Sequence, residues 1–427
     1  MSLYEEIVSR IERVRDLPAR KESFENFAKA FRELEVSLPE QGRGIILIAG
    51  TNGKGSVAKT LETLLLTVDP AVGLYTSPHM MRTTERIRSW GNDLSDDEFV
   101  EAFRLVEPIV TEFCLSHFES LTLMMAEVFF GGRVRQHVKR AMIEVGVGGK
   151  WDPTRLIPHE ASVITALGLD HRDILGGDLA SVAEHKLGIV ESGNLVIHSP
   201  FPAEVMSKVE ARQREVDATW HEAQPLRSRV EKNHGAPSWM IETPWGEARL
   251  ALQGQRAVEN TSTALRTLQV LGYDLSSLIS SLQNVRWPCR MEGFFFREKR
   301  VYLSGDHNPQ GIASLRELLQ EFEYERLLLV IGVGKNKDVD VMLSDFSSIS
   351  RAELYLTLTP FRSGSLASLE KWRDRAASVE PDAAHAFENA LEAAGPKDLV
   401  IVSGSLYLAG ELRRHIFAGR FGDFRLL

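Results

Sequence analysis

The apolar run Ile45-Ile46-Leu47-Ile48-Ala49 empties directly into Gly50-Thr51-Asn52-Gly53-Lys54-Gly55-Ser56. No other stretch limits the fold so sharply. A buried strand followed by a glycine-rich turn and then a helix belongs to an α/β sheet. The glycines let main-chain N–H groups turn inward without a Cβ in the way, and the helix points its positive end at the same place. Lys54 supplies a point charge, and Ser56 a hydroxyl for phosphate or a divalent cation. The spacing departs from G-x-x-x-x-G-K-[ST], because the glycines lie closer together. A plain glycine-rich turn with a surface lysine is the alternative.

A chain of 427 residues that is 43% hydrophobic buries a sizeable core and suits two domains better than one. The formal net charge of −9, with no block of lysine or arginine, argues against general nucleic-acid or membrane-surface binding. An anionic ligand is then met by local positive groups. Cys114 and Cys289 are the only cysteines, too few for a disulfide framework, and they fit a reducing compartment. The start Met1-Ser2-Leu3-Tyr4 lacks the pattern of a secretion signal, and no apolar run is long enough to span a bilayer. The expectation is a cytoplasmic protein, a monomer, with small-molecule partners.

Apolar, β-branched runs alternate with helical periodicity, the pattern of a mostly parallel sheet covered by helices. Strands are expected at Ile45 to Ala49, Val72 to Tyr75, Ala141 to Val145, Ser162 to Ala166 and Leu195 to Ile197. Helices are expected at Val57 to Leu66, Asp96 to Phe113 and Leu121 to Phe130. Around Pro244-Trp245-Gly246 the spacing predicts a hairpin at the edge of the first domain, followed by two helices up to Leu282. After Trp287-Pro288-Cys289-Arg290 a second series begins, with strands at Val301 to Ser304, Leu327 to Ile331, Leu354 to Thr357 and Leu399 to Val402. The division expected is residues 1–295 and 296–427.

Three further segments carry chemistry. Thr76-Ser77-Pro78-His79 follows the second strand, Glu144 ends the strand beginning at Ala141, and Asp170-His171 follows the strand containing Val163-Ile164-Thr165. Strand ends of this kind carry ligands in parallel sheets. A hydroxyl from Ser77, the Glu144 carboxylate and the His171 imidazole suffice for part of a Mg²⁺ octahedron, although imidazole is an unusual partner for so hard a cation. Each is also readable as an ordinary turn or a satisfied hydrogen-bonding residue.

With these residues in place, the chain resembles folylpolyglutamate synthase and dihydrofolate synthase, members of the Mur-type ATP-dependent amide ligases. The resemblance rests on Gly50 to Ser56, Thr76 to His79, Glu85-Arg86-Ile87, Glu144 to Gly149, Gly168 to His171, His307-Asn308-Pro309 and Gly404 to Leu408. It implies a P-loop Mur-ligase-type central domain and a smaller Rossmann-like C-terminal domain. It further implies that Gly50, Thr51, Asn52, Gly53, Lys54, Gly55 and Ser56 hold ATP phosphates, and that Ser77, Glu144 and His171 hold Mg²⁺. Asn260 falls on the adenine-side asparagine, Arg290 on a phosphate-side arginine, and Asp306 and His307 in the nucleotide-facing loop of the second domain. Lys186 falls where the family carries a carbamylated lysine. That reaction needs a neutral amine, so burial or neighbouring cations must lower the pKa. A solvated helix lysine is the equal alternative for Lys186, an exposed polar residue for Asn260, and a surface ion pair for Arg290.

Several positions depart from the family pattern. Where it reads Asp-Gly-Ala-His-Asn-Pro, this chain has Ser304-Gly305-Asp306-His307-Asn308-Pro309, so the acid moves by two places. In extended backbone such positions share a face, which lets Asp306 stand in for the missing carboxylate. The residue before Arg290 is Cys289 instead of glycine, the residue before Lys186 is His185 instead of glutamate, and Lys150-Trp151 interrupts the usual glycine loop. The reaction implied is ligation of L-glutamate to a folate or dihydropteroate carboxylate through an acyl phosphate, with Lys54, Lys186, Arg290 and His307 as the catalytic set. Two alternatives are a Mur-type paralogue for another acid and amino acid, and a non-catalytic nucleotide-binding protein.

Overall fold

The computed structural model describes residues 2–14, 20–233, 236–334, 339–360 and 363–427. The chain forms two compact units: one from Met1–Arg227, Thr243–Glu247 and Val258–Leu282, the other from Ser228–Glu242, Ala248–Ala257 and Gln283–Leu427.

In the first unit β1 (Ile45–Ala49), β2 (Val72–Tyr75), β3 (Ile87–Ser89), β4 (Asn92–Asp93), β5 (Arg140–Glu144), β6 (Ala161–Ile164), β7 (Leu195–His198) and β8 (Thr219–Glu222) make one sheet. Their order is β4-β3-β2-β5-β1-β6-β7-β8. Pairing is parallel from β2 through β8, and only the β2–β3 and β3–β4 pairings at one edge are antiparallel. Every residue of β1 is buried, as a central strand covered on both faces requires. The chain leaves β1 towards β2 and β5 on one side and later continues through β6 and β7 on the other. The C-terminal end of β1 is therefore the topological switch point, the crevice where open α/β sheets bind ligands.

Packing fixes that end of the sheet. The helix His117–Phe130 is buried on twelve residues, among them Leu121, Leu123, Met124, Met125, Val128 and Phe129. Its all-round apolar surface reads as a core helix, and each such side chain contributes roughly 1.5–3 kcal/mol on burial. Phe27, Phe99 and Phe103 from preceding helices join the same core.

The hairpin expected around Pro244-Trp245-Gly246 forms, but it is not confined to the first unit. β9 (Arg227–Asn233), β10 (Ala236–Thr243) and β11 (Gly246–Leu250) build a separate three-stranded sheet in the order β11-β10-β9, and most of it clusters with the second unit. β9, Arg-Ser-Arg-Val-Glu-Lys-Asn, has one apolar residue and so carries no periodic signal. The two helices expected next are also corrected. One α-helix, Gln255–Val270, is followed by two 3-10 segments, Leu275–Ser277 and Ile279–Asn284. Gly272, with φ +83°, ends the helix. Asp274 then accepts from Ser276 N and Oγ, a local bond that competes with helical pairing.

The second unit holds β12 (Arg290–Phe296), β13 (Lys299–Ser304), β14 (Leu327–Ile331), β15 (Ala352–Leu356), β16 (Ser378–Val379), β17 (Leu399–Ser403) and β18 (Arg425–Leu426), ordered β16-β15-β14-β17-β13-β12-β18. Its five strands from β16 to β13 are parallel, and β12 is antiparallel to both neighbours. Both units are thus α/β with mostly parallel sheets, as the alternating pattern implied. Among the described residues no helix is long and apolar enough to cross a membrane.

Candidate active site

Gly50 and Gly53 are glycines for steric reasons that the backbone makes explicit. A Cβ on Gly50, at φ +147°, would lie 1.8 Å from Thr165 Oγ1, and one on Gly53, at φ +93°, would lie 2.1 Å from Asn260 Oδ1. Gly53 caps the helix Lys54–Leu65 with no side-chain acceptor of its own. The first-turn N–H groups of that helix are therefore left for an anion. The turn is tied to the loop after β6: Thr51 N donates to Ala166 O at 2.9 Å, and Thr165 Oγ1 to Asn52 O at 2.8 Å. Thr51 Oγ1 donates to Gly168 O at 2.8 Å and accepts from Gly168 N at 3.0 Å.

Two lysines converge on one carbonyl. Gly50 O accepts from Lys54 Nζ at 3.1 Å and from Lys186 Nζ at 2.7 Å. Lys186 is only 4% exposed, which excludes the solvated-lysine alternative. Burial, and then the neighbouring Lys54 charge, push the Lys186 amine well below its ordinary pKa, while Asp170 and Asp152 act in the opposite direction. Next to it, burial followed by the Lys150 charge lowers His185.

Glu144, at the end of β5, is 5% exposed and accepts from Ser77 N at 3.1 Å. Ser77 and Glu144 are thereby brought together. The loop carrying Ser77 is held by Glu85, which accepts from the backbone N–H groups of Met80, Met81 and Arg82. His171 lies on the neighbouring loop after β6, with φ +48° and its backbone N donating to Asp170 Oδ1 at 2.9 Å. Among the described residues no three His, Cys, Asp or Glu side chains cluster as a metal cage. The expected set, one hydroxyl, one carboxylate and one imidazole, does not call for such a cluster. A buried carboxylate beside a serine at a strand end fits a hard divalent cation.

In the second unit Arg290 opens β12 opposite Ser304, the last residue of β13. Among the described residues its half-buried guanidinium makes no hydrogen bond or ion pair, so the surface ion-pair reading does not hold. Ser304 Oγ donates to Asp306 Oδ2 at 2.6 Å, so the side chains two places apart do meet. Asp306 Oδ1 would touch a Cβ on Gly311, in the first turn of the helix Pro309–Leu319. The helix dipole favours a carboxylate at that position. Asn308 caps the helix through Gly311 N at 2.8 Å. His307 Nδ1 lies 2.9 Å from Gly305 O. A carbonyl only accepts, so Nδ1 carries the proton.

Residues 290–406 match the Mur ligase, glutamate ligase domain. The chain is 28% identical to the folylpolyglutamate synthase of Lacticaseibacillus casei, over 90% of this chain and 92% of that one. It is 28% identical to a probable bifunctional folylpolyglutamate synthase/dihydropteroate synthase of Halobacterium salinarum, over 88% of this chain but 47% of that one. The chain thus spans about half the length of that relative. Among solved structures it superposes on E. coli FolC in complex with DHPP and ADP with a TM-score of 0.81, 25% identity, and coverage of 98% of this chain and 99% of the other. A bifunctional folylpolyglutamate synthase/dihydrofolate synthase with Mn, AMPPNP and L-glutamate bound gives 0.79, 25%, and 98% of each. The chain is thus similar to folylpolyglutamate synthases/dihydrofolate synthases over most of its length, and to the Mur ligase, glutamate ligase domain over residues 290–406.

Asn260 is half-buried against Gly53, on the helix Gln255–Val270, so it is not the freely exposed polar residue that its helix face allowed. The buried Asp152 was not singled out as a site residue. That carboxylate accepts from Gly146 N and Val147 N at 3.0 Å each, and from Thr154 N at 3.1 Å and Thr154 Oγ1 at 2.5 Å. It shapes the glycine loop after β5, and burial pushes its pKa up. Asp-Pro-Thr is a turn signature in the sequence, but nothing in it reveals that the turn bonds backward to Gly146.

Proposed function

We propose that this protein uses ATP to join L-glutamate to a carboxylate of a folate or dihydropteroate through an acyl phosphate. The observation that carries the reading is the glycine turn at the switch point of the first sheet, with two lysine amines on Gly50 O and the Glu144 carboxylate on the adjacent strand end. A carboxylate resists attack by an amine because its charge repels the nucleophile and oxide is a hopeless leaving group. Phosphorylation removes both obstacles.

In this reading the Gly50–Ser56 backbone and Lys54 hold the nucleotide phosphates, and Asn260 serves the adenine side. Arg290 balances charge that moves to the β,γ-bridge as the γ-phosphoryl group leaves, a preorganised electrostatic contribution. Asp306 is assigned to the nucleotide side in place of the displaced acid, and His307 to positioning or proton movement. Ser77, Glu144 and His171 are assigned to Mg²⁺, which supplies charge neutralisation of the phosphates. Lys186 is assigned as the carbamylated lysine: its neutral amine adds to CO₂ and releases a proton, and the depressed pKa supports that step. We assign the ATP-binding and ligase roles to residues 1–295 and 296–427, in a monomeric cytoplasmic enzyme.

Incubation with ATP and with dihydropteroate or tetrahydrofolate tests the activity. The expected outcome is ADP release and a product heavier by one glutamyl residue, both lost when glutamate is omitted. ADP release and mass gain only with another acid or amino acid favour the second reading, a paralogue for a different pair. The altered glycine loop motivates that reading: Trp151 stands there with its ring 5.8 Å from that of Phe24. ATP binding with no ADP release for any acid and amino acid offered would leave a non-catalytic nucleotide-binding protein.

A further inference from the structure

Arg290 sits between two residues in left-handed backbone, Cys289 at φ +56° and Met291 at φ +51°. Neither is glycine, so both are strained. Such backbone persists only where the surroundings over-determine it. Three contacts do so here. The pairing of β12 with β13 shifts register between Arg290 and Glu292, a bulge that turns the intervening side chains. Gly305 N donates to Cys289 O at 2.8 Å, tying the bulge to the loop that carries Asp306 and His307. Cys289 N donates to Glu292 Oε2 at 3.0 Å.

The last contact depends on a side chain, and that side chain is itself clamped. Arg413 Nε reaches Glu292 Oε2 at 2.8 Å and Oε1 at 3.1 Å, while Nη2 reaches Oε1 at 2.9 Å. The two side chains are 14% and 15% exposed, and the guanidinium lies over the Phe417 ring at 4.4 Å from its centre. A bidentate pair with a stacked guanidinium has one geometry, unlike a loose surface pair. Arg413 belongs to the helix Leu406–Phe417, whose Leu406 packs so close to Gly305 that a Cβ there would lie 2.1 Å away.

We propose that the Arg413–Glu292 pair is a positioning device: it fixes the Glu292 carboxylate under Cys289 N–H, holds the strained bulge, and so aims Arg290. The inference rests on the reading of Arg290 as a phosphate-side cation. Neither Glu292 nor Arg413 is assigned contact with substrate. Their effect on the reaction is proposed to pass chiefly through Arg290.

The test is a mutant cycle on the full chain, with ADP formation measured from ATP, tetrahydrofolate and L-glutamate, and thermal unfolding recorded for each variant. Arg290→Ala is expected to lower kcat strongly. Glu292→Gln, which keeps the shape and loses the clamp, is expected to lower kcat by about tenfold to a hundredfold, the scale of a small misplacement. In the Arg290→Ala background the same change is expected to cost no more than about twofold, because residues that act as a unit are non-additive. The swapped pair Glu292→Arg with Arg413→Glu restores charge pairing but leaves Cys289 N without its acceptor. It is expected to recover the melting temperature and not kcat. Full additivity of Glu292→Gln with Arg290→Ala, or recovery of kcat by the swapped pair, would overturn the inference. If Arg290→Ala itself left ADP formation unchanged, the phosphate role of Arg290 would fall first, and this inference with it.

Discussion

At the scale of single residues, the site is organised by groups that burial has changed. Glu144 illustrates the simplest consequence. It is nearly buried and meets Ser77 through the backbone N–H, so Glu144→Gln keeps the shape and removes a charge. Metal-dependent turnover is expected to fall by about a hundredfold or more, the order seen when a preorganised charge contact is lost, while the melting temperature moves little. Turnover unchanged across a Mg²⁺ titration would remove Glu144 from the coordination shell. Lys186 gives a pH prediction. Its amine is lowered well below 10.5 in the folded chain, so in the window between the depressed pKa and the unfolded value the unfolded state binds the extra proton. Stability then rises with pH across that window, by at most about 1.4 kcal/mol per pH unit from this group. In CO₂-free buffer, where the amine is not carbamylated, Lys186→Met is expected to lack that rise in denaturant melts between neutral pH and pH about 10. Parallel slopes for the two proteins would contradict the depressed amine. The sequence placed Lys186 by motif alone. Its burial could not be read there, because a lysine in Glu184-His185-Lys186 looks like any helix-surface cation.

Elements decide which of these residues meet. β1 and the helix Lys54–Leu65 were legible, since a continuous apolar run, a glycine turn and helical periodicity all agree there. The reason that Gly53 is glycine was not legible. It lies in Asn260, which is 207 positions later (260 − 53) and touches it from another helix. Gly53→Ala therefore combines a left-handed φ with a clash against the Asn260 amide. Nucleotide affinity, read by calorimetric titration of ADP, is expected to drop at least about tenfold, the scale of a 1.4 kcal/mol loss. Unaltered affinity would mean that the turn does not hold the phosphates. Asp152 shows the complementary limit. Its backward bonds to Gly146 and Val147 are tertiary facts of a loop, and the sequence offered only the local Asp-Pro-Thr turn. β9 and the 3-10 segments after Gly272 were missed because one lacks apolar alternation and the others are set by serine and aspartate side chains bonding locally.

For the whole molecule, the two α/β units and their mostly parallel sheets followed from alternating periodicity, and the ordered motifs carried the family resemblance. Net charge and cysteine usage only narrowed the classes. The identity of the acceptor was out of reach, because the departures at Lys150-Trp151 and Ser304 to Asp306 fall in loops whose partners are set by tertiary contacts. What unites the site residues is a claim about one bond: the terminal phosphoryl group of ATP moves to an oxygen of the acceptor carboxylate. Tetrahydrofolate labelled with ¹⁸O in its reacting carboxylate tests this most directly, by mass analysis of the inorganic phosphate released. The account predicts one labelled oxygen in phosphate for each amide formed. Phosphate that carries no label, alongside amide formation, would contradict it.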